Sequence, residues 1–569
     1  MTERLVLPGM EKHKPLLTKF DALTRACFLV FQNPSGRISA AIPQLRDNIL
    51  KSNMRITPEA LISLDIFFTA IAAGIVTVIT YIGVVVLHVI FFALLPVSIP
   101  IIFMLILNFP RFSASNRGAS IDNELPFVVG YLSVLAGGGV SPLVVMRRIS
   151  KMTLFPATSK EAKRILMETE VFGNDPITAM ERVARWNPSR NFSEFLFGYT
   201  SVLKSGGDFV SYIQVKLKDI LDAKSAQVKR ATDTTGTMAE AYLTITVILG
   251  MTLYTLYMIQ TLLSGSLNGL TNLYFFAFGI VPLISAGFMY MIDAVQPKWP
   301  YVDYRPYKYL LYTIPVAAGF FFIPIPIHLY LKVSISLIIS VSAPAFFSMR
   351  FSKERRGLEK ALPDFIRDVA EGRKTGLSPE KSIERLSDRR YGELSKHVQR
   401  MGAQLSWGIS LSKVVSTFTE AVGSWVTRAI GSLLIEVVDV GGGTIRSFSE
   451  MATFTRTIND MESERRSALR PFVFITYVAG IMVILTTFIM VYMLGEPAQI
   501  GYSTSVPQIP AATIDLLLVT AVFDSFIIGL VAGKMGESSV SDGFKHGIML
   551  VIVSCIAVQV AKLFINIPV

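Results

Sequence analysis

The sequence predicts an all-α polytopic membrane protein, with about nine transmembrane helices and two tandem-repeated helical-bundle domains on the cytoplasmic side. Three observations predict it. Of 569 residues, 51% are apolar and 17% charged, and the apolar ones are gathered into long runs, as membrane proteins require. Lysine and arginine fall almost wholly into alternate segments between those runs. A phrase that begins at residue 125 recurs at residue 362.

Taken in order, residues 1–63 are mixed and polar, without a short apolar core and small-residue cleavage site, and read as a retained cytoplasmic helical segment. Residues 64–108 contain no Lys or Arg. At about 1.5 Å rise per residue this stretch is roughly twice a ~30 Å hydrocarbon core, so it crosses twice, at 65–85 and 87–108. The first cytoplasmic domain is 109–239. Residues 240–348 hold four crossings, at 240–263, 272–292, 308–324 and 328–348. The last two are separated only by Ile323-Pro324-Ile325-Pro326-Ile327-His328, whose prolines suit a tight external hairpin. The second domain is 349–470, and 471–569 supplies crossings at 472–494, 512–532 and 547–566.

Charge sets the orientation. Of 54 Lys and Arg, nine precede the first helix, 17 lie in 109–239, 21 lie in 349–470 and five lie in two short loops, all on one side. The opposite loops carry none, and Lys332 and Lys562 sit near external helix ends, where long side chains snorkel. The basic side is therefore cytoplasmic, with the amino terminus inside and the carboxyl terminus outside. The formal charge of +12 is then a topological signal and not a nucleic-acid footprint.

The large domains show helical spacing, as in Ile177, Met180, Val183 and Ala184. Residues 125–150, LPFVVGYLSVLAGGGVSPLVVMRRIS, align without a gap with residues 362–387, LPDFIRDVAEGRKTGLSPEKSIERLS; seven of 26 positions are identical at an offset of 237. Gly139 and Gly376 suit the left-handed turn that ends a helix. Ser141-Pro142 and Ser378-Pro379 suit an N-cap followed by proline in the first turn. Further helix starts at Asn174-Asp175-Pro176 and Ile409-Ser410-Leu411, then glycines at 206–207 and 441–443, repeat the order. With membrane helices around each domain, this is a parallel tandem duplication, not an inverted repeat.

Little catalytic chemistry is visible. Gly529-Leu530-Val531-Ala532-Gly533-Lys534-Met535 has the wrong spacing for a phosphate loop and no Ser or Thr after the Lys. The five histidines, 13, 88, 328, 397 and 546, are scattered, and the two cysteines, Cys27 and Cys555, have no ligand partners in sequence. No enzyme activity, metal, cofactor or nucleic acid is expected. Asp524 lies near the middle of the eighth crossing, where an ionisable group is costly and hence a functional candidate; a helix-binding contact is favoured over ion or proton movement. Glu240 is expected to open the third crossing and cap a helix N-terminus. An intramembrane aspartyl protease lacks its second aspartate phrase.

Two helical repeats that open in Leu-Pro and turn at Gly-x-Ser-Pro, each set between membrane helices, resemble the type II secretion F family, the inner-membrane platforms of type IV filament machines. Near the end, Gly529, Gly533 and Lys534 followed by Gly543-Phe544-Lys545-His546-Gly547 resemble a phrase of the archaeal branch, which includes the archaellum platform protein. The resemblance implies a homodimeric platform that receives force from a cytoplasmic hexameric secretion ATPase and couples it to insertion of pilin-like subunits or archaellins. The domains carry basic side chains in excess of acidic ones, 17 to 12 in the first and 21 to 16 in the second, a surplus that suits an acidic ATPase face or anionic membrane lipids. Arg147-Arg148 and Arg389-Arg390 are the candidate partner-binding residues. A secondary transporter or channel using Asp524 is the rival of a different class.

Overall fold

The structure, a computed structural model, describes residues 19–54, 56–86, 90–136, 140, 142–264, 268–296, 304–441, 444–495, 511–537 and 539–564. Every regular element among them is helical. The chain divides into two compact units, residues 1–128 with 142–213, and residues 129–141 with 214–569.

In the first unit, α1 (Lys19–Ala41), α2 (Gln44–Ser52), α3 (Pro58–Tyr81) and α4 (Ser98–Ala136, whose last turns belong to the second unit) come first. Helix α1 kinks at Phe31, three residues before Pro34, because proline donates no hydrogen bond and crowds the preceding turn. Helix α3 starts where Thr57 accepts from the Ala60 amide at 3.4 Å, with Pro58 in its first turn. Glu59 accepts from Ser39 of α1 at 3.0 Å, and Leu45, Ile49, Leu61 and Ile62 form a small core between these helices. The first repeat continues as α5 (Pro142–Ile149), α6 (Pro156–Leu166), a wide turn at Met167–Val171, α7 (Pro176–Arg185), α8 (Arg190–Lys204) and α9 (Phe209–Leu243, running on into the second unit).

The second unit goes on with α10 (Gly250–Ser264), α11 (Asn268–Phe275), α12 (Val281–Val295), α13 (Arg305–Phe322) and α14 (Leu329–Lys374). Then come α15 (Pro379–Leu386), α16 (Ser395–Ser406), α17 (Leu411–Ala421), α18 (Trp425–Gly441), α19 (Ile445–Gly495), α20 (Ala511–Glu537) and α21 (Val540–Phe564). Helices α4 to α9 and α14 to α19 repeat one order. The starts of α5 and α15, Pro142 and Pro379, keep the offset of the sequence repeat, and the later pairs keep it to within two residues.

The turn chemistry agrees where it is described. Gly376 has φ +85, and Ser378 accepts from the Lys381 amide at 3.2 Å; Pro142 and Pro379 open α5 and α15. Asp175 caps α7 through Ile177 and Thr178, whereas Ser410 precedes α17 without a side-chain cap. Gly139 and Ser141 lie outside the described residues.

Eight helices among the described residues are long and apolar enough to cross a membrane, where the sequence suggests about nine. The remaining segment, 308–324, is helical as α13, but Arg305 and Lys308 at its start keep its composition more polar than the others. It packs along α14, with Tyr309 stacked on Phe347 at 3.9 Å and Thr313 bonded to the Ser340 carbonyl. The link to α14 turns through two consecutive three-residue turns, Ile325 N to Ile323 O and Ile327 N to Ile325 O, both 2.9 Å.

The expected cap at Glu240 is not there. Helix α9 begins at Phe209 and runs through Glu240 to Leu243, so no free helix N-terminus exists at that point, and the Glu240 side chain is exposed. Long helices that pass unbroken from domain to membrane are general here: α14 has 46 residues and α19 has 51, about 70 Å or more each.

Helix α20 is the axis of the membrane bundle in the second unit. In its most apolar window 78% of residues are buried, against 39% at most for the other seven spans. Leu517, Leu518 and Val519 pack with Tyr254, Phe276 and Val558 in one core, and Ile528, Val531 and Met535 with Tyr242, Ile292 and Leu550 in a second.

Candidate functional site at the membrane junction

The phrase near the end of the chain folds into a tightly crossed helical hairpin. Gly529 and Gly533 on α20, and Gly543 and Gly547 on α21, recur at four-residue spacing and face each other. A Cβ on Gly529 would stand 2.5 Å from the Gly547 Cα, and one on Gly533 would overlap the Gly543 backbone. Small residues at this spacing let helix backbones meet in a membrane, where packing replaces the hydrophobic effect as the associating force. The likeness of this segment to a phosphate loop therefore reflects helix packing.

The polar residues of the hairpin each reach a different neighbour. Lys534, buried, pairs with Asp293 at the end of α12 at 2.5 Å. Gln296 donates to the carbonyls of Lys534 and Met535 at 3.2 and 3.4 Å, which satisfies acceptors at the C-terminal end of α20. Lys545 pairs with Glu537, which Arg356 of α14 also approaches at 3.4 Å. Asp542 accepts from Ser348 and Ser352 of α14 at 2.6 and 2.8 Å. His546 Nδ1 lies 2.7 Å from the Tyr477 hydroxyl of α19.

Beside this hairpin lies a cleft of about 650 Å³, walled by the hairpin turn on one side and the base of the second repeat on the other. On the repeat side, Glu359 of α14 accepts from Ser424 at 2.8 Å and is approached by Arg466 at 3.5 Å. Arg465 and Arg466 both hold Glu462 at 2.7 Å. Charged groups that leave water are costly unless paired and hydrogen-bonded, and here ion pairs link α14 to α19 and the hairpin to α12 and α14, while the Tyr477–His546 hydrogen bond links it to α19.

One tie at this base recurs in the first repeat. Ser424 caps α18 by accepting from the Thr427 amide at 3.2 Å while donating to Glu359. Ser189 caps α8 through the Phe192 amide at 3.0 Å while donating to Asp122 at 2.6 Å. Asp122 and Glu359 occupy the same place in the two copies, each three positions before Leu-Pro. Extending the repeat alignment three positions upstream exposes this signal. Asp293, Gln296 and Asp542 had none, because an acid or amide at a helix end looks solvated in sequence.

Asp524, 2% exposed, accepts from the Tyr254 hydroxyl at 2.8 Å, a contact between α20 and α10. The space beside it is about 10 Å³, close to the lower limit for one water. The arginine pairs lie apart from this junction hairpin in sequence and partners. Arg147 pairs with Glu170 at 2.7 Å, and both are half exposed. Arg389 pairs with Asp368 at 2.9 Å, and Asp368 also accepts from Tyr391 at 2.7 Å; burial and this neighbouring carboxylate push the Tyr391 phenol up. Arg390 is exposed and Arg148 half-buried. Among the described residues no three His, Cys, Asp or Glu side chains converge as metal ligands would.

A duplicated six-helix domain, each copy continuous with membrane helices and tied to them at its base, defines a tandem helical membrane protein. Two domains of the chain, residues 129–256 and 365–492, match the sequence model of the family described as Type II secretion system (T2SS), protein F. That family comprises membrane platforms of type II secretion and type IV filament systems. An uncharacterized protein of Methanocaldococcus jannaschii is 22% identical over 484 residues, covering 78% of this chain and 80% of that protein. No solved structure matches.

Proposed function

We propose that this chain is the membrane platform of an archaeal type IV filament machine, foremost the archaellum, with an adhesive pilus or secretion pseudopilus as the alternative filament. It couples a cytoplasmic hexameric secretion ATPase to insertion of pilin-like subunits and carries no catalytic activity of its own. The observation that carries this reading is mechanical. Helices α14 and α19 run unbroken from the second repeat into the membrane, and ion pairs and hydrogen bonds tie both to the α20–α21 hairpin. Packed helices transmit displacement because interiors are dense and barely compressible, so a push on the repeat moves the hairpin that supplies the bundle's axis.

The positive-inside distribution supports placing the amino terminus and both repeats in the cytoplasm and the carboxyl terminus outside. Three of the eight spans, Phe209–Tyr257, Thr271–Val295 and Leu329–Lys374, separate the repeats. Antiparallel to α14 and 18 residues long, or about 27 Å, α13 supplies the fourth crossing that returns the chain to the same side. Asp524 supports this reading over a transporter, since its partner is a tyrosine and its surroundings leave almost no space.

The test is genetic. Cells lacking the gene are examined by electron microscopy and complemented from a plasmid. Loss of archaella alone supports the archaellum assignment, loss of a different filament reassigns the platform, and unchanged filaments with altered solute uptake favour the transporter.

A further inference from the structure

The third helix of each repeat ends in the same unusual way. Helix α16 is followed by Trp407, 84% exposed, the most exposed of the large apolar side chains among the described residues, and then by Gly408 at φ +80. Helix α6 and its wide turn are followed by Phe172, 63% exposed, and then by Gly173 at φ +68. Val171 and Met167 beside Phe172 are 73% and 50% exposed. The left-handed glycine in each copy ends the helix and leaves the aromatic standing on its last turn.

Both aromatics sit at the end of their repeat away from lipid. In the second repeat, Ala421, Gly423, Trp425 and Val426 line the cleft beside the membrane hairpin, and α17, with 11 residues, separates them from Trp407 by about 16 Å. In the first, Ser189 of the α7–α8 link meets Asp122 on α4, and α7 separates that link from Phe172. A large exposed indole in a domain outside the membrane is not a lipid anchor.

Exposed basic side chains lie on the helix that each aromatic closes. Helix α16 contains no acidic residue, and Lys396 and Arg400 are exposed on it. On α6, Lys160 and Lys163 are exposed, while Glu161 is buried against Arg117 and Arg164. Glu168 and Glu170 are held by Arg182 and Arg147, Asp175 is taken up by capping α7, and in the second repeat Asp439 accepts from Ser412 of α17.

We infer that these duplicated aromatic turns are the docking surface for a protein partner presenting an apolar pocket rimmed by carboxylates. Aromatic anchors flanked by basic groups are the residue types that concentrate interface energy, and opposite charge on the rim speeds and orients the encounter. Taking the partner to be the secretion ATPase rests on the platform reading. The duplication places two such anchors on one chain.

The experiment uses the full chain in lipid nanodiscs with Trp186, Trp299 and Trp425 changed to Phe, leaving Trp407 as the sole indole. Before any partner is added, Trp407 emits as a solvated indole; emission typical of a buried one overturns the inference, since lipid or a second copy then covers it. On titration with purified secretion ATPase the emission moves to shorter wavelength. In the four-Trp background, Trp407→Ala weakens ATPase binding about 30-fold, the scale of a hot-spot loss, and Phe172→Ala together with it weakens it further. Binding that leaves Trp407 emission and the alanine variants unchanged overturns this surface while sparing the platform reading; no binding by the unaltered chain overturns both.

Discussion

Replacing Ser424 with alanine removes one hydroxyl that serves two elements. It is fully buried, accepts from the Thr427 amide at 3.2 Å and donates to Glu359 at 2.8 Å. Loss of a serine N-cap costs about 1 kcal/mol, and loss of a hydrogen bond to a charged group about 1.5–3 kcal/mol. Glu359 keeps Arg466 at 3.5 Å, so the two losses do not add fully, and about 2–3 kcal/mol is expected. Read as local opening, this is roughly 30- to 150-fold faster amide exchange at the start of α18. Ser189→Ala cuts the equivalent tie in the first repeat, but Asp122 retains Asn191 at 3.2 Å, so about 1–2 kcal/mol, or roughly 5- to 30-fold, is expected there. Hydrogen exchange with mass spectrometry on the full chain in nanodiscs reads both segments at once. Exchange unchanged in both variants, or faster in only one, would refute the claim that a single duplicated tie holds each repeat to its first helix.

Three further outcomes follow from the same geometry. Asp524→Asn keeps an acceptor for Tyr254 and costs under about 1 kcal/mol, whereas Asp524→Leu strands a buried hydroxyl at about 1–3 kcal/mol; filament counts at matched protein level check this, and loss of filaments with Asn alone would show that the charge matters. Gly533→Ala pushes a methyl into the Gly543 backbone and lowers stability in detergent by about 1–3 kcal/mol, while Gly250→Ala, with open space at its Cβ, changes it little. In a background with Cys27 and Cys555 replaced, an impermeant thiol reagent labels cysteines introduced at Ser266 and Ser503 in intact cells but not those at Lys160 and Ser406, and the reverse pattern would invert the topology.

What the sequence discloses follows from which forces are periodic. Apolar runs long enough to cross, and the glycine and Ser-Pro punctuation of the repeat, are local and regular, so the helical class, the duplication and the turn at Gly376 are legible. Glu240 misleads because hydropathy changes at the membrane boundary while the helix does not end there. Gly529 and Gly533 are visible as a phrase, but their purpose depends on Gly543 and Gly547 across a hairpin. The pairs Lys534 with Asp293 and Lys545 with Glu537 join residues whose meeting only tertiary packing decides. Arg389 looks available to a partner, yet Asp368, one helix earlier on α14, already holds it.

As the proposed platform, this chain transmits force from a cytoplasmic ATPase that it binds. The most direct measurement is binding of the purified secretion ATPase to the full chain in nanodiscs across a salt series, with ATP turnover recorded for each component alone. A platform gives a saturable complex that weakens as salt screens the charged contacts, a several-fold loss with Arg390→Glu, whose side chain is exposed, and turnover only where the ATPase is present. ATP hydrolysis by this chain alone, or no complex even at low ionic strength, would contradict it.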